Sequence, residues 1–343
     1  MKPSSHETSN ELRLLLSARQ FESNGSRIAE CLAVAGKTLV PVLLEDTRPV
    51  SDCGAEVAWF TRDVYSDSIV NHWSQHAQRF FDCCKASRRL RFVHLFSSGS
   101  DFEVVDELIA NGVAVSSSIG ASGIPLAHTA IAGMMAISRG FPRFIEFKSQ
   151  RNWITPTTHD YPADLEGQTA LVVGLGAVGN EIARLCKALR MRVIALTRDG
   201  QRQCRDCDEQ ASFADLRLVA QRSDWIFLAC PSTSETRGMI SRKLLDSLRP
   251  DCALINIARG ALIDESALCD ALAERRLRAA YLDVFSQEPL PETSRLWDLQ
   301  NVIMSPHNAA LSKGNEERAK LAFFDNLGAY VRGLTLKHLA VRR

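Results

Sequence analysis

Gly174, Gly176 and Gly179 follow the apolar run Ala170-Leu-Val-Val173 and open a helical pattern over Asn180–Arg190. In that order each glycine has a physical task. The first permits a tight turn, the second lets backbone approach a bound group, and the third lets the helix pack closely on the strand. Ala177 and Val178 stand inside the turn, where a helix presents free N–H groups and the positive end of its dipole. That chemistry suits a pyrophosphate. A glycine triplet alone is a common turn, but one set between strand and helix is a dinucleotide signature.

The next apolar run, Val193-Ile-Ala-Leu-Thr197, ends where a dinucleotide's ribose is read. A carboxylate there would accept from both ribose hydroxyls and favour NAD. This chain has Thr197 followed by Arg198, with Arg202 four residues on. A guanidinium can grip a 2′-phosphate in a fork, so the pattern points to NADP(H), with NAD as the alternative. Asp199 is the conflicting residue, since a shifted register would bring it to the ribose. Arg198 could equally be a solvent-facing loop charge.

Two sets of β-rich runs and helical stretches must carry these residues, and their alternation predicts a parallel α/β fold. The first set has strands at Leu12–Leu16, Thr38–Val42, Val57–Phe60, Phe92–Phe96 and Val113–Ser116, with helices at Arg27–Ala35, Ser68–Cys84 and Phe102–Asn111. The second has six strands, at Thr169–Val173, Arg192–Leu196, Trp225–Ala229, Ala253–Ile257, Ala280–Val284 and Val302–Met304, enough for a complete doubly wound dinucleotide domain. A helix over Leu126–Phe147 joins the sets, and another follows from Asn315 to Val331.

Further motifs stand in a fixed order: Leu165-Glu-Gly-Gln-Thr169, Cys230-Pro-Ser-Thr-Ser-Glu-Thr-Arg237, Asn256-Ile-Ala-Arg-Gly260, Leu282-Asp-Val-Phe-Ser-Gln-Glu-Pro289 and Ser305-Pro-His307. With the glycine turn they make the chain resemble the D-2-hydroxyacid dehydrogenase family, which includes glyoxylate/hydroxypyruvate reductases. The resemblance runs from about Phe92 to His307. It implies two doubly wound parallel-sheet domains, a Rossmann dinucleotide domain (residues 123–312) inserted into a flavodoxin-like substrate domain (1–122, completed by 313–343). It implies reduction of a small 2-keto acid by Arg259, Glu288 and His307, and the chemistry is coherent. Arg259 would fork onto the carboxylate and polarise the carbonyl. His307 would deliver the proton as imidazolium, and Glu288 would orient it and favour its charged form. Taken singly, each is more often a surface cation, a loop carboxylate or a turn histidine.

By the same resemblance Ser98 and Gly99, in the loop after Phe92–Phe96, hold the substrate carboxylate with Arg259 and His307. An ordinary strand-to-helix turn with Asp101 as N-cap is the bland alternative. The cofactor-contacting set extends to Thr129, Cys230, Pro231, Thr236, Ile257, Ala258, Arg259 and Asp283. His128 departs from the pattern, standing where family members often carry Glu. His72, His76 and His94 lie in helix or strand patterns and read as structural.

The formal net charge of +1 gives no general field for nucleic acid or an acidic membrane, and Arg88–Arg91 and Arg275–Arg278 read as solvated helix ends. Ile119–Ile137 is apolar but broken by Ser122, Pro125 and His128, which suits a buried helix rather than a membrane span. Ten cysteines without an export signal predict reduced thiols in a cytoplasmic protein. The lone Cys204-Arg-Asp-Cys207 spacing, with no paired histidines, argues against zinc. A homodimer through the helix after Leu126 and the region of Trp153 follows from the resemblance. Within the fold, a cofactor-sensing corepressor, a structural subunit with a vestigial site, or an oxidase of formate or phosphite are the competing readings.

Overall fold

The computed structural model describes residues 10–44, 50, 52–65, 73–100, 102–155 and 161–341. His72 and Asp101, and the start of the helix expected from Ser68, lie outside the described residues. The chain divides into two compact units, Met1–Ala121 with Ser312–Arg343, and Ser122–Leu311.

The first unit's strands are β1 (Glu11–Leu16), β2 (Thr38–Leu43), β3 (Val57–Phe60), β4 (Phe92–Leu95) and β5 (Ala114–Ser117), all parallel, in the order β2-β1-β3-β4-β5. This is the flavodoxin-like order. Helices cover both faces, which is why β3 and β4 are buried at every residue. Leu12, Leu14, Leu16, Val57 and Trp59 face one way, and Leu15, Ala58, Phe60, Val93 and Leu95 the other. The first face receives the helix Lys313–Val331, with Phe323 stacked on Trp59 at a centroid distance of 4.0 Å. The helix expected from Arg27 starts at Ala18, because the Ser17 side chain accepts from the Gln20 N–H and caps it there.

The second unit's strands are β6 (Thr169–Val173), β7 (Arg192–Thr197), β8 (Glu209–Ser212), β9 (Trp225–Leu228), β10 (Ala253–Asn256), β11 (Ala279–Leu282) and β12 (Val302–Met304). They form a parallel sheet in the order β12-β11-β10-β9-β6-β7-β8. Among the described residues this sheet has seven strands where the sequence pattern gives six. The extra strand, β8, pairs with β7 at the sheet edge, buries Ala211 and carries no apolar pattern. The helix expected over Leu126–Phe147 is two, Gly123–Ser138 and Phe141–Ser149, with Gly140 between them at φ 70°. That left-handed turn ends the first helix as a glycine readily can.

One thiol expectation is corrected. Cys204 and Cys207 form a disulfide, their Cα atoms 5.5 Å apart across the turn between β7 and β8, both packed partly against the sheet's core. The spacing of three residues across a turn brings two thiols within bonding reach without any metal.

Candidate active site

The glycine turn joins β6 to the helix Ala177–Ala188. Gly174 has φ 98°, and a Cβ there would lie 2.8 Å from the Cys230 Cβ. At Gly179 a Cβ would overlap the Gly174 carbonyl, whereas at Gly176 it would meet open space. Two glycines therefore close the turn and the middle one leaves a gap at the helix N-terminus. Burial raises the neighbouring Cys230 thiol to about 11, so it brings no negative charge to that end.

An open cleft of about 540 Å³ begins at this turn, within the ~300–1,000 Å³ usual for small-molecule sites. Gly174, Leu175 and Gly176 line one side. Thr197, Arg198, Asp199, Gln201 and Arg202 line another, and Cys230, Pro231, Thr233 and Thr236 a third. A gap over free helix N–H groups, flanked by cations where a ribose would lie, fits a phosphorylated dinucleotide. Thr197 closes its own turn by accepting from the Gly200 N–H at 3.1 Å, and Asp199 accepts from the Gln201 N–H at 3.1 Å. Arg198 Nε lies 2.6 Å from Glu235 Oε2.

Some side chains expected to touch a cofactor are engaged elsewhere. The Thr236 hydroxyl donates to the Pro231 carbonyl at 2.7 Å and accepts from the Thr233 N–H at 2.8 Å, bracing its own loop. Thr129 Oγ1 donates to the Ala309 carbonyl at 3.1 Å. Ile257 and Ala258 are buried behind β10.

Glu288 and His307 meet beyond the ends of β11 and β12. His307 Nδ1 lies 2.6 Å from Glu288 Oε2, and Glu288 Oε1 accepts from the Phe285 N–H at 2.9 Å. Burial works to raise the Glu288 carboxyl. The hydrogen bond and charge of His307, the Phe285 N–H and the charge of Arg259 outweigh it and hold the group below its ordinary value. Glu288 is therefore a carboxylate at neutral pH, with its charge directed at Nδ1. The opposite ring nitrogen, Nε2, faces away from it.

His307 sits at φ 49°, a conformation uncommon for residues with a side chain and found at functional sites. Its N–H donates to the Asp283 carbonyl at 2.9 Å. The Asp283 carboxylate, buried at 1% exposure, accepts from Ser305 Oγ and from the N–H groups of Asn308 and Ala309. Sequence reasoning gave Asp283 a cofactor contact and missed this hold on the histidine loop.

Arg259 lies beyond β10 with extended backbone, φ −148° and ψ 141°. Asn256, a motif residue with no role legible from the sequence, builds this turn. Its Nδ2 donates to the Arg259 carbonyl at 3.0 Å, and its Oδ1 accepts from the Ala258 N–H at 3.1 Å. A Cβ on Gly260 would overlap the Phe285 backbone, so glycine lets the loops after β10 and β11 touch. That contact brings Arg259 within electrostatic reach of Glu288.

Ser98 and Gly99 belong to the first unit, in the loop after β4. Ser98 Oγ donates to the Ser118 carbonyl, and Ser97 Oγ donates to the Gly99 carbonyl at 2.7 Å. His94 is buried between Ser116 and Ser118, and burial, reinforced by His338, lowers its pKa to about 3. A neutral histidine bonded to two serines is structural, as its strand position suggested. His128 is exposed.

Residues 131–309, more than half of the chain, match the family described as D-isomer specific 2-hydroxyacid dehydrogenase, NAD binding domain. A glyoxylate reductase of Pyrococcus furiosus is 33% identical over 273 residues, 78% of this chain and 80% of that protein. A D-3-phosphoglycerate dehydrogenase of Methanocaldococcus jannaschii is 29% identical over 252 residues, 74% of this chain, and the chain spans 48% of that relative's length. In fold, an NADPH-dependent glyoxylate/hydroxypyruvate reductase from Sinorhizobium meliloti, solved with NADP and sulfate, superposes with TM-score 0.71 at 21% identity, covering 97% of this chain and 98% of that one. The chain belongs to the D-isomer specific 2-hydroxyacid dehydrogenase family, and the cleft beside its glycine turn lies in the family's NAD-binding domain.

Among the described residues, no helix is long and apolar enough to cross a membrane, and no group of three or more His, Cys, Asp or Glu side chains could hold a metal ion.

Proposed function

We propose that this protein reduces small 2-keto acids with NADPH, foremost glyoxylate to glycolate and hydroxypyruvate to its D-2-hydroxy acid. The observation that carries the reading is the 2.6 Å pair of His307 and Glu288, with Arg259 in electrostatic reach, in the same unit as a dinucleotide cleft. When bound, the dinucleotide supplies the hydride. The chain's own residues do the rest. Arg259 holds the substrate carboxylate in a fork and draws electron density toward the keto oxygen. Nε2 of the His307 imidazolium gives that oxygen its proton, and the ring is left neutral. Glu288, fixed by the Phe285 N–H, keeps Nδ1 protonated and the ring aimed. Ser98 and Gly99 keep the part the resemblance implies, backbone N–H donors to the carboxylate. By the same resemblance Asp283 contacts the nicotinamide carboxamide, and Pro231 and Ile257 line the cofactor.

The preference for NADPH rests on Thr197 and Arg198 at the end of β7, where no carboxylate ends the strand. The family relatives named for glyoxylate reduction support the substrate class. Initial rates with a panel of 2-keto acids, each with NADPH and NADH, test the whole reading. The expected result is NADPH-preferring turnover, with hydroxypyruvate yielding the D-hydroxy acid. No turnover across the panel with either dinucleotide would remove the assignment.

We also propose a homodimer. The helix Phe141–Ser149 buries none of its residues, and Phe144, Ile145 and Trp153 are exposed at 50%, 69% and 94%. A second copy would cover that apolar face.

A further inference from the structure

Two loops of the second unit border the cleft at its ribose end, and each contributes one charge to the same ion pair. The loop after β7 carries Arg198, and the loop after β9 carries Glu235. Arg198 Nε and Glu235 Oε2 are 2.6 Å apart, with side chains 70% and 52% exposed. Glu235 stands on a braced turn, because Thr236 Oγ1 ties the Thr233 N–H to the Pro231 carbonyl. The carboxylate therefore reaches the exposed Arg198 side chain from a braced base.

We propose that Glu235 is a specificity-determining residue that occupies the Arg198 guanidinium and sets how strongly a 2′-phosphate is preferred over a 2′-hydroxyl. The inference rests on the reading that Arg198 receives that phosphate. A dianionic phosphate competes for the guanidinium and displaces the carboxylate. A ribose hydroxyl is a weaker partner and leaves the pair intact. Glu235 thus lowers affinity for the phosphorylated dinucleotide and leaves the other untouched. Because the pair is exposed, the effect is modest. Breaking it and removing a like charge from beside the phosphate is worth roughly three- to tenfold in affinity.

Calorimetric titration of the full chain tests this without turnover. The ligands are NADPH, NADH, adenosine 2′,5′-bisphosphate and adenosine 5′-monophosphate. The proteins are wild type, Glu235→Gln, Glu235→Asp, Arg198→Ala and the double variant Arg198→Ala with Glu235→Gln. Glu235→Gln should bind NADPH and the bisphosphate roughly three- to tenfold more tightly, an effect that shrinks at high salt. NADH and the monophosphate should bind it as they bind wild type, and Glu235→Asp should stay near wild type. On the Arg198→Ala background the gain should largely vanish. If Arg198→Ala loses NADPH affinity while Glu235→Gln changes nothing, the role of Glu235 is wrong and the Arg198 reading stands. Weaker NADH and monophosphate binding in Glu235→Gln would instead make Glu235 a ribose ligand and overturn the proposal. If Arg198→Ala leaves NADPH binding unchanged, the underlying reading of Arg198 fails, and this inference with it.

Discussion

Replacing Glu288 by Gln keeps the size of the side chain and the acceptor for the Phe285 N–H, but removes the charge facing His307. The amide nitrogen would then stand where Oε2 now lies 2.6 Å from Nδ1, offering a donor in place of an anion. Imidazolium is disfavoured by what that charged hydrogen bond was worth. A hydrogen bond to a charged group contributes about 1.5–3 kcal/mol. The His307 side chain is 37% exposed, so solvent screens roughly half of it, leaving about 1–1.5 kcal/mol. On the proposed mechanism that loss falls on the step in which His307 gives its proton to the keto oxygen, so Glu288→Gln should lower kcat for keto-acid reduction about five- to tenfold. Its affinity for adenosine 5′-monophosphate should stay at the wild-type value, because neither Glu288 nor His307 lines the cleft at the glycine turn. Steady-state rates and a calorimetric titration measure the two. An unchanged kcat in Glu288→Gln would refute the assigned role of Glu288, and an unchanged kcat in His307→Gln would refute that of His307. Stability adds a second reading. The folded value of Glu288 is depressed, so its contribution is present above the unfolded value of about 4.3 and lost as pH falls through the folded value. The stability gap between wild type and Glu288→Gln in urea should therefore be full at neutral pH and fade in acid.

Gly179→Ala should cost about 1–3 kcal/mol of stability in urea titrations, because its Cβ overlaps the Gly174 carbonyl. Gly176→Ala should fold with wild-type stability yet lose dinucleotide affinity by calorimetry, since its Cβ enters only the open gap. Equal effects of the two on stability would contradict that division. Asp283→Ala should lower kcat more than tenfold while leaving affinity for adenosine 5′-monophosphate unchanged, as it frees the histidine loop but not the adenosine end of the cleft. Trp153→Glu should convert a dimer to a monomer in analytical ultracentrifugation, and a wild-type monomer would remove the proposed interface.

What the sequence made legible follows from where the physics is local. β3 and β9 are buried on both faces and read as unbroken apolar runs, β4 is interrupted only by His94 and β6 is apolar after Thr169, so the ends of all four fall within a residue of the expected ones. The glycine turn was legible because its three tasks are set by sterics within six residues. β8 was not, since Glu209-Gln-Ala-Ser212 becomes a strand only through pairing with β7. The break at Gly140 was hidden in a helical pattern that continues on both sides. At the site, residue types suggested which groups could do chemistry, but not what holds them. Asn256 bracing the Arg259 turn, and Glu235 reaching Arg198, depend on contacts between loops that no spacing encodes.

On the proposed mechanism His307 is the proton donor, and the residues around its loop decide where it is held. Holding His307 at φ 49° costs about 1–2 kcal/mol relative to an ordinary conformation. Asp283 offsets it by accepting from the Asn308 and Ala309 N–H groups on its carboxylate and from His307 on its carbonyl. Tyr281 donates to Ser305 at 2.6 Å and Ser305 donates to Asp283 at 2.7 Å, so the carboxylate is itself held. Burial raises the Asp283 carboxyl, and the donors from Ser305, Asn308 and Ala309 then lower it in part. Tyr281 belongs to β11 and Asp283 follows it directly, so the loop is anchored to the sheet. A proton donor must be placed to within about half an ångström, and packing against a sheet supplies that precision where a free loop would not. The left-handed turn is thus the local cost of aiming Nε2 away from Glu288, and the strand beneath it stabilises the arrangement.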